Sequence, residues 1–169
     1  MKRGCVQGAV GLLALAAALP AAAAFAGAQA CKPFDVGELR KVLRIPLDQP
    51  RGTGGASLLS CTAKGGSAQV TLNHSPEPNL ALGSPGEFNQ SVAGARAAGQ
   101  VEVQEFKDTR CAVIHPSGGN KFGAFKAWCV LHSKKGRYVS LEVVARSAKQ
   151  LPALEKVREA AEAAAARIP

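Results

Sequence analysis

Residues 111–144 read CAVIHPSGGNKFGAFKAWCVLHSKKGRYVSLEVV, three runs of alternating apolar and polar residues separated by two glycine-containing turns. Alternation with a period of two is typical of a β-strand with one buried face. Short turns of this composition join neighbouring strands in antiparallel order. The segment therefore predicts a three-stranded antiparallel meander, and it contains no catalytic or ligand-binding motif.

The second turn sets a register for this meander. If Gly136 takes the left-handed position of a three-residue turn, Cys129 faces Leu141 on the apolar side of the sheet. Counting back through the first turn pairs Cys111 with Cys129, so one disulfide could pin the first two strands. The same register pairs Leu131 with Val139, Val113 with Ala127 and His115 with Phe125.

The N-terminus has the layout of a secretory signal peptide. A basic pair at positions 2 and 3 precedes the apolar residues 9–19, and an alanine-rich tail continues to Ala30. The apolar stretch is shorter than the roughly 20 residues that a membrane-spanning helix needs. We expect residues 1–30 to be removed, with cleavage after Ala30 favoured and cleavage after Ala26 or Ala28 as the alternatives.

Removing 30 of the 169 residues leaves 139, residues 31–169, which is enough for a single domain with its own core. Cys31 would follow the cut directly, which raises the alternative of a lipoprotein. A lipoprotein signal usually has Leu three residues before the lipidated cysteine, and here that position is Ala28. No second apolar segment follows in the sequence that could anchor the chain in a membrane. We expect a periplasmic or secreted protein.

The chain is basic, with 21 Lys and Arg residues against 12 Asp and Glu and a formal net charge of +9. The charge falls to +7 once Lys2 and Arg3 are removed. Such a charge steers a protein towards anionic surfaces or acidic partners, although simple solubility is the plainer explanation.

Four cysteines remain after the signal: Cys31, Cys61, Cys111 and Cys129. An even number in an exported chain predicts disulfides, for which three pairings exist. We favour Cys31 with Cys61 and Cys111 with Cys129, because each pair is nearest in sequence and the second fits the hairpin register. The cysteines are too widely scattered for the close pairs of a zinc site, so no metal is expected.

Helix caps and hydrophobic periodicity place the other elements. A capping box at Asp35 predicts a short helix, and Ser84 with Glu87 predicts the start of a second helix that ends near Gly99. The turn-rich residues 48–55 predict an exposed loop. Strands are predicted at residues 56–63, 68–74 and 101–106.

The last predicted element is an alanine-rich amphipathic helix, whose apolar stripe favours core packing over partner binding. The stripe comprises Leu154, Val157, Ala161, Ala164 and Ile168. Together the elements predict an α+β domain, an antiparallel sheet of about six strands packed by two or three helices, with two disulfides.

Part of this pattern resembles a known family. The features that carry the resemblance are Cys31 with Pro33 and Phe34 before a short helix, Cys61 in the next strand, and a closing strand followed by an alanine-rich helix. They are similar to the secreted single-domain lipoproteins of actinobacteria whose function is unknown, and to PsbP-like sandwiches. The resemblance implies an α+β sheet flanked by helices and a binding or accessory role in the cell envelope. The chain departs from that family at the lipoprotein signal and in its second cysteine pair, and no functional residue is carried over.

No residue pattern predicts catalysis. The G-x-S-x-G and C-x-x-C-H motifs are absent, and the three histidines match no paired-ligand motif. Those histidines are His74, His115 and His132. Glu102 with Glu105 or Asp108 could form a carboxylate pair for glycoside cleavage, but carboxylates at a strand end are ordinary surface residues. We expect no enzyme activity and no cofactor, with a small periplasmic hydrolase as the alternative.

Basic residues cluster near the turns of the meander. Backbone N–H groups of the glycine loop 117–123 could hold an anion, although a hairpin bend explains the loop better. The candidate ligand-binding residues form a cationic edge for a phosphate-bearing glycan or lipid head group: Lys121, Lys126, Lys134, Lys135 and Arg137. Charged turn tips also keep sheet edges from aggregating, which is the alternative explanation.

These observations predict an exported, non-catalytic envelope protein that binds an anionic ligand or assists another exported protein. A purely structural envelope role is a further alternative. The expected partner is an anionic envelope component or an exported protein. Nucleic acid is not expected, because an exported chain rarely meets it.

Overall fold

The computed structural model describes residues 27–116 and 124–169, apart from the side chains of residues 98–100. The strands are β1 Arg51–Gly54, β2 Leu59–Gly65, β3 Ala68–His74, β4 Gly99–Glu105, β5 Thr109–Pro116, β6 Phe125–His132 and β7 Tyr138–Ala145. They form one antiparallel sheet in the order β1-β2-β3-β7-β6-β5-β4. The helices of eight or more residues are α1 Val36–Leu43, α2 Pro85–Ala98 and α3 Leu154–Ala166. The predicted α+β class is confirmed.

One prediction, the exposed loop at residues 48–55, is wrong because part of it forms the edge strand β1. Residues 48–55 were expected to form an exposed loop, but Arg51–Gly54 pairs with β2 along its length. Three of its four residues are exposed and the fourth is half-buried. Because neither face of β1 is buried, its sequence lacks the apolar alternation by which a strand is recognised. The sheet therefore has seven strands where about six were expected.

The larger core lies on one face of the sheet, under α1 and α3. The predicted stripe of α3 is buried there, with Val157 and Ala161 fully inaccessible. Inward-facing residues of the central strands, among them Leu72 and Leu141, complete this core. The stripe is thus core packing, as predicted.

The opposite face is covered only in part. Phe88 and Val92 of α2 pack there against Ala112 and Val130. The same face of β2 and β3 carries half-buried polar residues joined by hydrogen bonds, for example Ser60 and Thr62 on β2 bonded to Asn73 and Thr71 on β3. This hairpin has one solvent-exposed face, which none of the described helices covers.

Local signals in the sequence explain where α1 and α2 begin. The Asp35 carboxylate accepts a hydrogen bond from the Glu38 backbone N–H at 3.0 Å, and this bond is the main reason that the pKa of Asp35 lies below its usual value. At α2, Ser84 Oγ accepts from the Glu87 N–H at 3.3 Å, and the Glu87 carboxylate accepts from the Gly83 N–H. Both predicted N-caps are confirmed, but the capping box at Asp35 is incomplete because the Asp35 N–H donates to the Pro33 carbonyl and the Glu38 carboxylate pairs with Arg167.

The meander has the predicted register. Cys111 faces Cys129, and Cys129 faces Leu141. Gly136 has the expected left-handed backbone, with φ of 74°. The pairs Leu131 with Val139 and Val113 with Ala127 are also present. The ladder stops one step before the predicted pair of His115 with Phe125, whose rings still lie 5.8 Å apart.

Two disulfides fasten the domain, with the predicted pairing. Cys111–Cys129 joins neighbouring strands of the meander, and Cys31–Cys61 ties the segment before α1 to β2. Most of the expected signal peptide, residues 1–26, and the glycine loop 117–123 lie outside the described residues. Within the described ranges, none of the helices combines the length and apolar character that crossing a bilayer requires.

Candidate functional site

A cleft of about 550 Å³ opens at one end of the sheet, next to the start of β2, the end of β3 and the turn that precedes β7. We call it the end cleft. Its lining residues come from five separate parts of the chain and are Ala28, Gln29, Cys31, Lys32, Pro33, Leu59, His74, Pro76, Arg137, Arg167, Ile168 and Pro169. The volume lies within the range of about 300–1,000 Å³ that is typical of small-molecule sites.

His74 is the most buried polar residue of the end cleft, with 4% of its surface exposed. It ends β3 on the same face as Val70 and Leu72, so the pleat directs it inward. Its Nε2 lies 3.2 Å from the Ala30 carbonyl oxygen, while Nδ1 is buried without a hydrogen-bond partner among the described residues.

The imidazole of His74 is neutral at neutral pH. Burial lowers its pKa below the usual 6.5, and the nearby positive charge of Arg137 lowers it further. The Ala30 carbonyl and the Ser75 backbone act in the opposite direction, although the Ser75 contact falls short of hydrogen-bond geometry. The ring can therefore offer a neutral N–H or nitrogen to a ligand at neutral pH and a second cation in acid.

Arg137 supplies an uncompensated positive charge to the end cleft. Its backbone is fixed next to the turn, because its carbonyl accepts a hydrogen bond from the Ser133 N–H at 2.8 Å. Its Nε is buried and has no hydrogen-bond partner in the part of the chain that the structure describes. No described carboxylate lies within ion-pair distance of its guanidinium.

The other two cations of the end cleft differ from Arg137. The Arg167 guanidinium pairs with Glu38 and lies 3.6 Å from the Asp35 carboxylate, so two acidic residues compensate its charge. Lys32 is exposed to solvent. Arg137 is therefore the cation best placed to bind an anion.

The structure separates the five residues of the predicted cationic edge. Only Arg137 among them lines the end cleft, and Lys134 and Lys135 are exposed in the adjoining turn. Lys126 lies at the far end of β6, about 20 Å from that turn at the rise of an extended strand. Lys121 lies outside the described residues.

Lys126 belongs to a second cleft of about 300 Å³ beneath α2. Its ammonium pairs with the Glu142 carboxylate and lies 5.0 Å from the centre of the Trp128 ring. In the same cleft, burial raises the pKa of the Tyr138 hydroxyl above its usual value. Because the charge of Lys126 is already compensated, this cleft offers an anion less than the end cleft does.

The remaining candidate residues do not converge. The Nε2 of the half-buried His115 lies 3.7 Å from the exposed Glu102 carboxylate. His132 Nε2 bonds to the Leu82 carbonyl at 2.8 Å. The exposed carboxylates Glu105 and Asp108 do not line the end cleft. Among the described residues, no group of three His, Cys, Asp or Glu side chains could hold a metal ion.

Sequence reasoning did not assign His74 to a binding site, although a signal was present. Ala68, Val70 and Leu72 alternate towards the core, and His74 continues the same phase. A histidine at that position is directed inward, at the end of a strand followed by a proline-rich connection. No local pattern could show that residues 28–33 and 167–169 meet it there.

Comparison of the chain with the models of known protein families, with curated proteins and with solved structures returned no match.

Proposed function

We propose that this is an exported, non-catalytic protein whose end cleft binds a small anionic ligand with an apolar portion. The carrying observation is Arg137, a cleft-lining residue whose Nε is buried without a hydrogen-bond partner and whose guanidinium has no described carboxylate within ion-pair distance. The proposal is supported by the chemistry of the lining, and its periplasmic or secreted location by the signal-like N-terminus.

Charge favours an anion. The lining contains no Asp or Glu, and two of its cationic residues, Lys32 and Arg137, have no described carboxylate within ion-pair distance, whereas Arg167 is paired with Glu38. A guanidinium binds a carboxylate or phosphate through two parallel hydrogen bonds, a geometry that a lysine cannot reproduce. His74 beside it can add a further hydrogen bond. The head group of the ligand is accordingly a carboxylate or a phosphate.

The apolar part of the lining favours an amphipathic ligand. Pro33, Leu59, Pro76 and Ile168 contribute hydrocarbon surface beside the cations. Burying a ligand methylene against such surface contributes about 0.8 kcal/mol. A lipid-derived or similar amphipathic anion fits this combination better than a purely polar one.

Export is supported by two independent features. The N-terminus has the charge, apolar length and small residues of a signal peptide. The two disulfides are of a kind that persists in oxidising compartments. The resemblance to secreted envelope lipoproteins supports the same location and an accessory or binding role.

Calorimetric titration of the oxidised protein tests this proposal. The probes are octanoate and octyl phosphate, with octanol and octyltrimethylammonium as neutral and cationic controls. Arg137→Gln removes the proposed anion contact, and Lys135→Gln removes one charge from the adjoining turn without touching the cleft. Because a hydrogen bond to a charged group contributes about 1.5–3 kcal/mol, we expect Arg137→Gln to weaken anion binding about 10- to 150-fold.

The controls separate a defined site from diffuse attraction. Lys135→Gln should leave the affinity nearly unchanged, and octanol and the cation should bind far more weakly than the two anions. Equal losses in both variants, or no anion binding at all, would show that net charge and not the end cleft is responsible.

A further inference from the structure

Residues 27–30 contact the folded domain through Gly27 and Ala30, while Ala28 and Gln29 are exposed. Ala30 is fully buried, and its carbonyl oxygen is the partner of the buried His74 Nε2 at 3.2 Å. Residues 27–31 are helical, and the Gln29 carbonyl accepts a hydrogen bond from the Lys32 N–H at 3.3 Å. Ala28 and Gln29 form part of the wall of the end cleft.

The contact between Gly27 and β1 is close. A Cβ added at Gly52 would lie 1.8 Å from the Gly27 carbonyl oxygen, and a Cβ added at Gly27 would lie 2.8 Å from the Gly52 carbonyl oxygen. Two backbones that approach this closely require glycine at the contact. Gly27 therefore has a defined position against β1.

Cleavage after Ala30 would remove these contacts. It would take away the carbonyl that lies 3.2 Å from His74 Nε2, so that neither nitrogen of the buried imidazole would have a hydrogen-bond partner among the described residues. It would also place the new ammonium group of Cys31 in a cleft that already holds Lys32 and Arg137, neither of which lies within ion-pair distance of a described carboxylate. Desolvation and like-charge repulsion both oppose that arrangement.

The sequence offers the same small-x-small pattern four residues earlier. Ala24 and Ala26 precede Gly27 in the same way that Ala28 and Ala30 precede Cys31. The pattern alone does not select among the three cuts weighed above, but the cuts after Ala28 and Ala30 would both remove the contact of Gly27 with Gly52, and the cut after Ala26 keeps it.

We propose that the signal peptide is cut between Ala26 and Gly27, so that the mature domain begins at Gly27 and keeps residues 27–30 as a wall of the end cleft. Hydrolysis of this bond adds one water, leaving a carboxylate on Ala26 and an ammonium on Gly27. The inference rests on the export in the proposed function, and it does not depend on ligand binding.

The same placement excludes a lipid anchor on Cys31. Lipidation forms a thioether at the cysteine sulfur and makes that cysteine the first residue of the chain. The Cys31 sulfur is already bonded to Cys61. A sulfur in a disulfide cannot also carry a thioether, so the mature protein is not attached to a membrane through Cys31.

The first test is the intact mass and N-terminal sequence of the protein exported from a bacterial host that expresses the full chain. We expect Gly27 at the N-terminus, no lipid and two disulfides. A terminus at Gln29 or Cys31, or a lipid mass, overturns this placement, whereas retention of Met1 overturns export itself. Ala28→Arg, which disrupts the small-residue pattern of both later cuts, should leave the Gly27 terminus unchanged, and Ala24→Arg should prevent its formation.

A second test uses the glycine contact in the exported protein. Gly52→Ala should lower the unfolding temperature, because its Cβ meets the Gly27 carbonyl. Gly55→Ala is the matched control, since a Cβ there meets nothing within 4 Å. If the mature chain lacks Gly27, both variants should unfold at the same temperature, and that result would contradict the inference.

Discussion

Replacing Cys31 and Cys61 together by alanine removes the bridge that ties the cleft wall to β2. Alanine is the appropriate substitute because Cys61 is fully buried, where a serine hydroxyl would need a new hydrogen-bond partner. The bridge closes a loop with a sequence separation of 30 residues. On the chain-entropy model its loss lowers the free energy of unfolding by about 3.6 kcal/mol.

The matched control is the double alanine variant of Cys111 and Cys129, whose sequence separation is 18. The same model gives about 3.2 kcal/mol for that bridge. Urea denaturation followed by circular dichroism measures both losses, and native-state hydrogen exchange locates them. The Lys32 and Phe34 amides donate hydrogen bonds to the Gln29 and Cys31 carbonyls, and their exchange should accelerate in the Cys31 and Cys61 variant and stay slow in the control. A loss below about 1 kcal/mol, or unchanged exchange at Lys32 and Phe34, would refute this reasoning.

Three further predictions concern His74, two glycines and the core. The pKa of His74 is lower in the folded than in the unfolded protein, so the contribution of the neutral imidazole to the free energy of unfolding is complete above the unfolded pKa of about 6.5. That contribution is lost as the pH falls towards the folded pKa. His74→Gln should therefore show a smaller difference in the free energy of unfolding between neutral and acidic pH. Gly83→Ala should cost about 1–3 kcal/mol, because Gly83 has φ of 69° and its Cβ would lie 2.9 Å from the Tyr138 ring. Gly94→Ala, in the middle of α2 with open space around its Cβ, should instead stabilise by about 0.5–1 kcal/mol, and a gain for Gly83→Ala in urea titration would contradict the contact. Leu141→Ala, at a fully buried position in β7, should cost about 2–5 kcal/mol in the same assay, and a cost below that of an exposed control would be inconsistent with the core.

Much of the fold could be predicted because its signals are local. Gly136 marks the left-handed turn, and the turn length then fixes which residues of β6 and β7 face each other. The caps at Asp35 and Ser84 need only residues three positions away. Each of these features depends on a few neighbouring residues, which a sequence displays directly.

The edge strand and the end cleft could not be predicted in this way. Strand β1 lies at the rim of the sheet with little burial, so nothing in its side chains identifies it. The end cleft is assembled by long-range packing from residues 28–33, His74, Arg137 and residues 167–169. The sequence alone indicated only that His74 lies on the inward-facing side of its strand.

The ion pair between Lys126 and Glu142 could have been derived from the predicted register. Pairing Cys129 with Leu141 places Lys126 opposite Val144 and diagonally next to Glu142 on the same face. That geometry forms the ion pair, which removes Lys126 as a free cation. Before basic residues on a strand are interpreted as an anion-binding site, the acidic residues on the neighbouring strands must therefore be considered as their partners.

The most direct measurement of anion binding in the end cleft is the NMR spectrum of histidine and arginine side chains in the oxidised protein, recorded while octanoate is added. We predict that Arg137 Nε and the His74 imidazole shift together and saturate, and that the pKa of His74 rises because a bound anion favours the imidazolium. His115 and His132 lie outside the end cleft and should not move. Shifts confined to other residues, or an unchanged His74 and Arg137 at saturating octanoate, would contradict the account.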